Sequence, residues 1–376
     1  MYADVPYNSI VVQKYGGTSV GSVDRIHKTA ERIAFRWNGG WKRLAVVVSA
    51  MAGETNRLVE LVRQVNPNCS SRAYDVAVSA GEQVSVGLVC AALEARGIQA
   101  LPLLGFQLGV LTDTQHGRAR IQSVETEKIE AAWKNGQLPV IAGFQGITPE
   151  FALTTLGRGG SDTSAVALAV ALHAAFCEIN TDVDGLYTAD PRIVPKAQLV
   201  TEIDYESALE MASLGGKVLH TRCVELAAKY GVPLTVRNSF IEPDSERRTR
   251  MSLTVRALEA PVVSGVSLDR NVAKVALRNW KGSEGELLKV FSPVAAAGAN
   301  VDIIVFDRRD EAGALAVGFT VSEIDLPLAL EGVESFQKAT AKRDLSVETR
   351  TGLAKVSAVG LGMRSHVGVA TRMFDA

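Results

Sequence analysis

The sequence predicts an α/β fold with a central, mostly parallel sheet and helices on both faces, followed by ferredoxin-like βαββαβ units, the second incomplete. Three observations predict it. Short apolar runs, among them Ile10–Tyr15, Leu44–Ser49 and Leu138–Ala142, alternate with helix-period segments and end in glycine-rich loops, as buried parallel strands do. A polar stretch, Ile241–Met251, interrupts this pattern. Beyond it come a strand (Ala273–Arg278), a helix (Gly285–Ala297), two strands (Asn300–Phe306, Ala314–Thr320), a helix (Leu326–Ala341) and a strand (Leu345–Arg350). A similar opening at Ala354–Gly360, with a helix from about Val367, points to an internal duplication. The 376 residues therefore divide into an α/β domain (1–240), a linker (241–260), a first βαββαβ unit (261–352) and the start of a second (353–376).

Composition excludes several function classes. Net charge is −1, and no Lys/Arg block stands out beyond Arg247-Arg248. Neither nucleic acid nor a membrane is expected as a partner. No apolar run reads as long enough to span a bilayer, and the N-terminus lacks the basic and apolar regions of a signal peptide. Cys69, Cys90, Cys177 and Cys223 are scattered with no C-x-x-C pair, which fits reduced thiols and a cytoplasmic location.

Ile10–Tyr15 runs into Gly16-Gly17-Thr18-Ser19-Val20-Gly21 and a helix from about Ser22 to Phe35. Strand, glycine-rich loop and helix in that order form a phosphate cradle. Lys14 leaves the strand where it reaches phosphate oxygens. No Gly-Lys-Ser/Thr closes the loop, so it is not a Walker A motif. Leu44–Ser49 is a second strand, and a helix begins near Thr55. Ser49 and Thr55 read equally as ligand groups at the strand's carboxyl edge or as strand end and helix cap. Asp75–Ala95 reads as a helix interrupted at Ser79–Gln83. There Glu82 either accepts from a ligand amine or is one more solvated carboxylate. Gln99–Leu104, Arg118–Val124 and Leu138–Ala142 read as strands and Glu125–Lys134 as a helix. Ala142–Gly146 is a glycine-flanked turn at the ligand edge.

The stretch Leu156–Ala165 is the centre of this half. It joins a short strand, Phe151–Thr155, to a helix, Asp162–Ala175. Its glycines let backbone N–H groups approach a ligand, Ser161 or Asp162 caps the helix, and the helix start suits an anion; taken alone, the stretch reads equally as an ordinary glycine-rich turn with a capped helix. Arg158 adds a guanidinium fork suited to a carboxylate. Strand Ala175–Asp182 then leads to a polar loop carrying Asp184, Tyr187, Asp190 and Arg192. Tyr187 suits packing on a purine, and Thr181 and Asp182 suit its ribose or phosphates. Ala208–Ser213 and Val224–Lys229 read as helices and Leu234–Arg237 as a strand. Between the helices, Lys217 beside two glycines is a second phosphate-binding cation, and His220 reads as structural.

Two lysines beside glycine turns, a capped helix start and an acidic loop with an aromatic point to phosphoryl transfer without a P-loop. Mg²⁺ would be held by the nucleotide phosphates, aided by a carboxylate and waters. The acceptor would be a small anion, given Arg158. Four motifs carry a resemblance. They are Lys14-Tyr15-Gly16-Gly17-Thr18-Ser19-Val20, Gly157-Arg158-Gly159-Gly160-Ser161-Asp162, Thr181-Asp182-Val183-Asp184-Gly185 with Thr188-Ala189-Asp190-Pro191-Arg192, and Gly216-Lys217-Val218-Leu219-His220. In this order they resemble the aspartate kinases (aspartokinases) of the amino acid kinase superfamily, over nearly the whole chain.

The resemblance implies the amino acid kinase fold and transfer of the γ-phosphoryl of ATP to L-aspartate, giving 4-phospho-L-aspartate and ADP. That is the first step toward lysine, threonine and methionine. It makes the βαββαβ units ACT regulatory domains, which pair into a homodimer and take lysine or threonine as effectors. It implies Lys14, Asp162 and Lys217 as the catalytic set, with Lys14 bridging the transferring phosphate. Ser49, Thr55, Glu82, Arg158 and Ser161 would surround aspartate, with Glu82 on its amine and Arg158 on its α-carboxylate. Lys14, Gly16, Gly17, Thr18, Ser19, Thr181, Asp182, Tyr187, Asp190, Arg192 and Lys217 would surround the nucleotide. Asp162 would orient Lys14 or influence the metal rather than act as a base, because the acceptor carboxylate is already ionised at pH 7.

The sequence departs from the family pattern at Ala80, at Asn180 and at Ser283-Glu284-Gly285. The second ACT unit breaks off at Ala376, from which weakened feedback is expected. Two other readings remain: a related kinase acting on another small carboxylate, and a non-catalytic amino-acid sensor. Acetylglutamate kinase fits less well, because an N-acylated acceptor loses the amine contact.

Overall fold

The structure is a computed structural model that describes residues 5–69, 71–214, 218–253, 263–280, 282–307, 315–340, 345–360 and 368–375. It forms two compact units, residues 1–266 with 358–376, and residues 267–357. The chain runs β1 (Val11–Tyr15), α1 (Val23–Asn38), β2 (Leu44–Val48), α2 (Glu54–Val65), α3 (Arg72–Val78), α4 (Ala80–Glu94), β3 (Ala100–Leu103), α5 (Gly105–Leu108), β4 (Val110–Thr112), β5 (Ile121–Val124), α6 (Glu127–Lys134), β6 (Leu138–Ala142), β7 (Gln145–Ile147), β8 (Leu153–Thr155), α7 (Gly160–Ala171), β9 (Phe176–Thr181), β10 (Glu202–Asp204), α8 (Tyr205–Ser213), α9 (Thr221–Tyr230), β11 (Leu234–Asn238) and β12 (Arg248–Ser252). It continues through β13 (Gly265–Trp280), α10 (Glu284–Leu287), α11 (Phe291–Ala296), β14 (Val301–Asp307), β15 (Leu315–Ser322), α12 (Leu326–Thr340), β16 (Ser346–Val359) and α13 (Val369–Asp375).

In the first unit an eight-stranded sheet has the order β10-β12-β11-β9-β1-β2-β6-β3. Among the described residues of this sheet only β11 and β12 pair antiparallel. β1, β2 and β6 are buried at every residue, as expected of strands covered on both faces. Alternation sorts their side chains. Val11, Tyr15, Val46 and Val48 join the core under α1 and α4, and Val12, Ala45 and Val47 join the core under α7 and α9. Lys14 shares the face of Val12, so it is directed toward α7. Helix α1 buries Ile26, Ala30, Ile33 and Trp37, and Ser22 caps it by accepting from the Arg25 N–H at 3.2 Å. Each such large apolar side chain contributes roughly 1.5–3 kcal/mol. A second sheet, β5-β4-β7-β8, lies in the same unit.

The sheet also holds a buried polar crossbar. Glu178 on β9 accepts from Gln13 on β1 at 2.9 Å and pairs with Arg237 on β11 at 3.3 Å. Burial alone would raise the Glu178 carboxyl; Arg237, Arg32 and Arg36 outweigh this and hold it below the usual range. Arg237 also donates to the carbonyls of Pro243 and Ser245, at 2.7 and 2.9 Å.

In the second unit the four-stranded order is β14-β15-β13-β16, a βαββαβ fold. Its core gathers Val275, Leu277, Trp280, Phe319, Val333 and Phe336.

Several elements differ from the sequence expectation. The polar connector is not all linker, because β12 lies within it and joins the main sheet. The helix expected over Gly285–Ala297 is broken by a 3-10 turn, Leu288–Val290. Pro293 explains the break, since it lacks an N–H and crowds the carbonyl of Lys289. Its start is a capping box, with Ser283 accepting from the Glu286 N–H and Glu286 accepting from that of Ser283. The strands expected on either side of residues 351–353 form a single strand, β16. Finally, α3 and α4 together span Arg72–Glu94, a run long and apolar enough to cross a membrane, contrary to expectation; the fold instead buries 56% of its most apolar window.

Candidate active site

Five parallel strands end at one edge of the main sheet. Tyr15 lies in register with Val48 and Asn180, Val48 with Ala142, and Asn238 with Thr181. In open α/β sheets this edge is where ligands sit. The Gly16–Gly21 loop is fixed to it by the Gly16 N–H bonding to Asn180 O at 3.0 Å. A Cβ on Gly17 would stand 2.9 Å from Ala50 O, so only glycine allows this approach.

On the α7 side, Lys14 Nζ meets Asp162 Oδ1 at 2.6 Å, both largely buried. A Cβ on Gly16 would lie 3.3 Å from that ammonium. The Ncap of α7 is Gly159, in the left-handed region at φ 67°, with no side-chain cap. The capping expected of Ser161 or Asp162 therefore does not occur; both lie inside the first turn. Gly159 fits because a Cβ there would stand 2.3 Å from the His220 side chain. Ser161 is buried against the turn at Gly143, where a Cβ would lie 2.7 Å from its own. Phe144, next in that turn, is held at φ 69°, which bulky residues rarely adopt. Arg158 is exposed in the loop before α7.

Glu82 is not a solvated carboxylate. It is 3% exposed; Oε1 accepts from the Ala50 N–H at 3.0 Å, and Oε2 is buried without a hydrogen-bond partner. Burial pushes its carboxyl up to about 7, against the lowering effect of the Ala50 N–H. Ala50 follows Ser49 at the end of β2, so Glu82 reaches the same edge. Ser49 is half-buried there, its N–H bonding to Tyr15 O at 3.1 Å. Thr55 is half-buried in the first turn of α2, whose Ncap is Gly53, so Thr55 is not the cap.

On the β9 side, Thr181 Oγ1 donates to Asp182 at 3.2 Å, and the Asp182 residue is exposed. Arg192 donates to Asp190 from both Nε, at 3.0 Å, and Nη2, at 2.8 Å. Tyr187 belongs to a network that sequence reasoning missed. Its hydroxyl donates to Asp184 at 3.0 Å; Asn238 and Arg247 donate to the same carboxylate at 2.9 and 2.7 Å. Burial alone would raise the Asp184 carboxyl; the bonds from Asn238, Arg247 and Tyr187 outweigh it and hold it low. Arg247 lies far along the chain in a stretch read as connector, so no spacing signal reveals it. Thr18 is exposed at the loop tip. Ser19 departs from expectation: it is fully buried, its hydroxyl 2.8 Å from that of Ser239 and its N–H bonded to Gly16 O. Its side chain braces the loop from behind. Lys217 lies outside the described residues.

A basic residue clasped by a carboxylate at a glycine loop, beside a helix start at the sheet edge, defines a phosphoryl-transfer class. The profile of the amino acid kinase family matches residues 9–238, and the chain belongs to that family. Within it the chain falls among the aspartokinases. It is 45% identical to an aspartate kinase of Stutzerimonas stutzeri over 98% of this chain and 88% of that one. It is 42% identical to an aspartokinase of Geobacillus stearothermophilus over 97% and 87%. Among solved structures, E. coli aspartokinase III with aspartate and ADP, in its R-state, matches with a TM-score of 0.77 at 28% identity, over 97% of this chain and 91% of that one.

Proposed function

We propose that this chain transfers the γ-phosphoryl group of Mg-ATP to the side-chain carboxylate of L-aspartate, giving 4-phospho-L-aspartate and ADP. The observation that carries the choice of acceptor is the buried Glu82 oxygen without a partner. A buried carboxylate oxygen in this position calls for a cationic donor, and the α-amine of an amino acid supplies one. Arg158, exposed at the turn before α7, takes the α-carboxylate. Ser49, Thr55 and Ser161 would complete the contacts to the acceptor in this reading.

Catalysis is then positioning and charge neutralisation. The attacking carboxylate is already ionised, so no general base is required. Lys14 follows the transferring phosphoryl group and offsets charge on its oxygens, and Asp162 holds the ammonium on the α7 side. Lys217 adds positive charge at the nucleotide phosphates. Gly16, Gly17 and Thr18 offer backbone and hydroxyl groups to those phosphates. Thr181, Asp182, Tyr187, Asp190 and Arg192 hold the nucleoside. Among the described residues no group of three or more His, Cys, Asp or Glu side chains is arranged for a metal. Mg²⁺ would be carried in by the nucleotide phosphates and would offset their charge, and Asp162 or Asp182 would be the carboxylate that helps hold it.

The protein acts as a cytoplasmic homodimer whose ACT units bind lysine or threonine. Free cysteines at all four positions, three of them buried, support the compartment. A solved aspartokinase III of E. coli with lysine and aspartate, in its T-state, matches over 93% of this chain with a TM-score of 0.71 and supports the effector class. The test is to trap the product acyl phosphate with hydroxylamine in the presence of Mg-ATP and L-aspartate. Aspartyl hydroxamate formed in step with ADP is expected; ADP release without hydroxamate would overturn the acceptor.

A further inference from the structure

Asp75 carries none of the roles above, yet it connects two of the residues that do. It is fully buried in α3 (0% exposed). Its Oδ2 lies 2.5 Å from Nδ1 of His116, and its Oδ1 accepts from the Gly117 N–H at 2.9 Å and from Thr155 Oγ1 at 2.5 Å. A carboxyl group buried this completely needs its oxygens satisfied by hydrogen-bond partners of this kind. They come from two places, the 113–120 loop and the last residue of β8. Thr155 leads through Leu156-Gly157 into Arg158, and Asp75 leads through the turn at Ser79 into Glu82.

Further contacts close the same frame. The Ala119 N–H bonds to Thr155 O at 2.9 Å. Arg222 donates from one nitrogen to Leu156 O and from another to Ala119 O, both at 2.8 Å. Gly157, at φ 78°, packs so closely that a Cβ would stand 3.1 Å from Gly117 O. At the other end, Gln145 donates to Ser79 O at 2.8 Å. The loop bearing Arg158 is thus built on a platform whose fully buried carboxylate, that of Asp75, sits on the helix that leads to Glu82.

We propose that Asp75, through His116 and Thr155, is the positioning residue that sets Arg158 relative to Glu82 and so fixes the α-amino-acid end of the acceptor. The proposal rests on the acceptor reading given above. It explains why a carboxylate is kept in a dry interior where an apolar residue would pack without needing donors.

Three substitutions test it in the full chain. Thr155→Val removes one donor at nearly constant volume. His116→Phe removes the ring donor, and His116→Asn returns an amide donor near the same place. In Thr155→Val and His116→Phe the KM for aspartate rises about tenfold, as expected when a binding group is displaced by a fraction of an ångström. The KM for ATP stays unchanged, and His116→Asn recovers most of the loss. Equal rises in both KM values would overturn the proposal. A lower melting temperature with both KM values unchanged would also overturn it, because it would mark Asp75 as structural only. Absence of aspartate-dependent turnover in the unaltered chain would instead overturn the acceptor reading itself, and this proposal with it.

Discussion

At the scale of single residues, Glu82 joins stability to recognition. Its carboxyl has an ordinary value of 4.5 and is pushed to about 7 by burial. A raised carboxyl favours the neutral form in the folded state, so the cost of ionising it grows as pH rises from the unfolded value toward the folded one. Above that window the cost is constant, at most about 3 kcal/mol. Glu82→Gln carries no such charge, so its melting temperature should exceed that of the unaltered chain most at pH 8, with the difference shrinking at pH 5 and lost below the unfolded value. An equal difference at both pH values would contradict burial as the cause. The same variant loses the acceptor's amine contact, and in the unaltered chain the KM for aspartate should climb as pH falls below 7. Arg158→Lys probes the other charge. Loss of the bidentate fork should raise the aspartate KM by roughly 10- to 100-fold and leave that for ATP unchanged. Steady-state kinetics in both substrates checks this.

At the scale of elements, the start of α7 depends on glycines that no other residue replaces. Gly159→Ala would force a Cβ into His220 from a left-handed backbone. Destabilisation of about 1–3 kcal/mol is expected, with activity falling beyond that because Arg158 and Asp162 flank the turn. Denaturant unfolding and turnover measured together would check both. Most of these elements are legible in the sequence, because β1, β2, β6 and α7 are dictated by local apolar pattern and glycine. What the sequence hides is set by partners distant in the chain. β12 reads as polar connector because Arg248 and Arg250 interrupt its apolar pattern, and their partners, Glu246 and Glu202, give no local sign of a strand. The helix cap at Gly159 is invisible because Ser161 and Asp162 look like better caps. Lys14, Arg158 and Tyr187 are marked by the glycine turns and polar loops around them. Asp184 with Arg247, and Asp75 with His116, have no such local sign.

At the scale of the whole molecule, the second unit has an exposed edge. β14 ends the order β14-β15-β13-β16, and Ile303, Ile304 and Val305 on it are 41, 50 and 58% exposed. An apolar edge strand of this kind invites pairing with another chain, which supports a homodimer formed edge to edge. Ile304→Lys should shift the sedimentation coefficient to that of a monomer; an unchanged dimer would move the interface elsewhere. The central claim is that the first unit reads a free α-amine on its phosphoryl acceptor. The most direct measurement is ADP release from Mg-ATP with L-aspartate, compared with N-acetyl-L-aspartate at equal concentration. Turnover with aspartate that falls by a factor of about 10² or more with the acetylated acceptor is the predicted result. Comparable turnover with both would contradict the role of Glu82 and with it the account of the site.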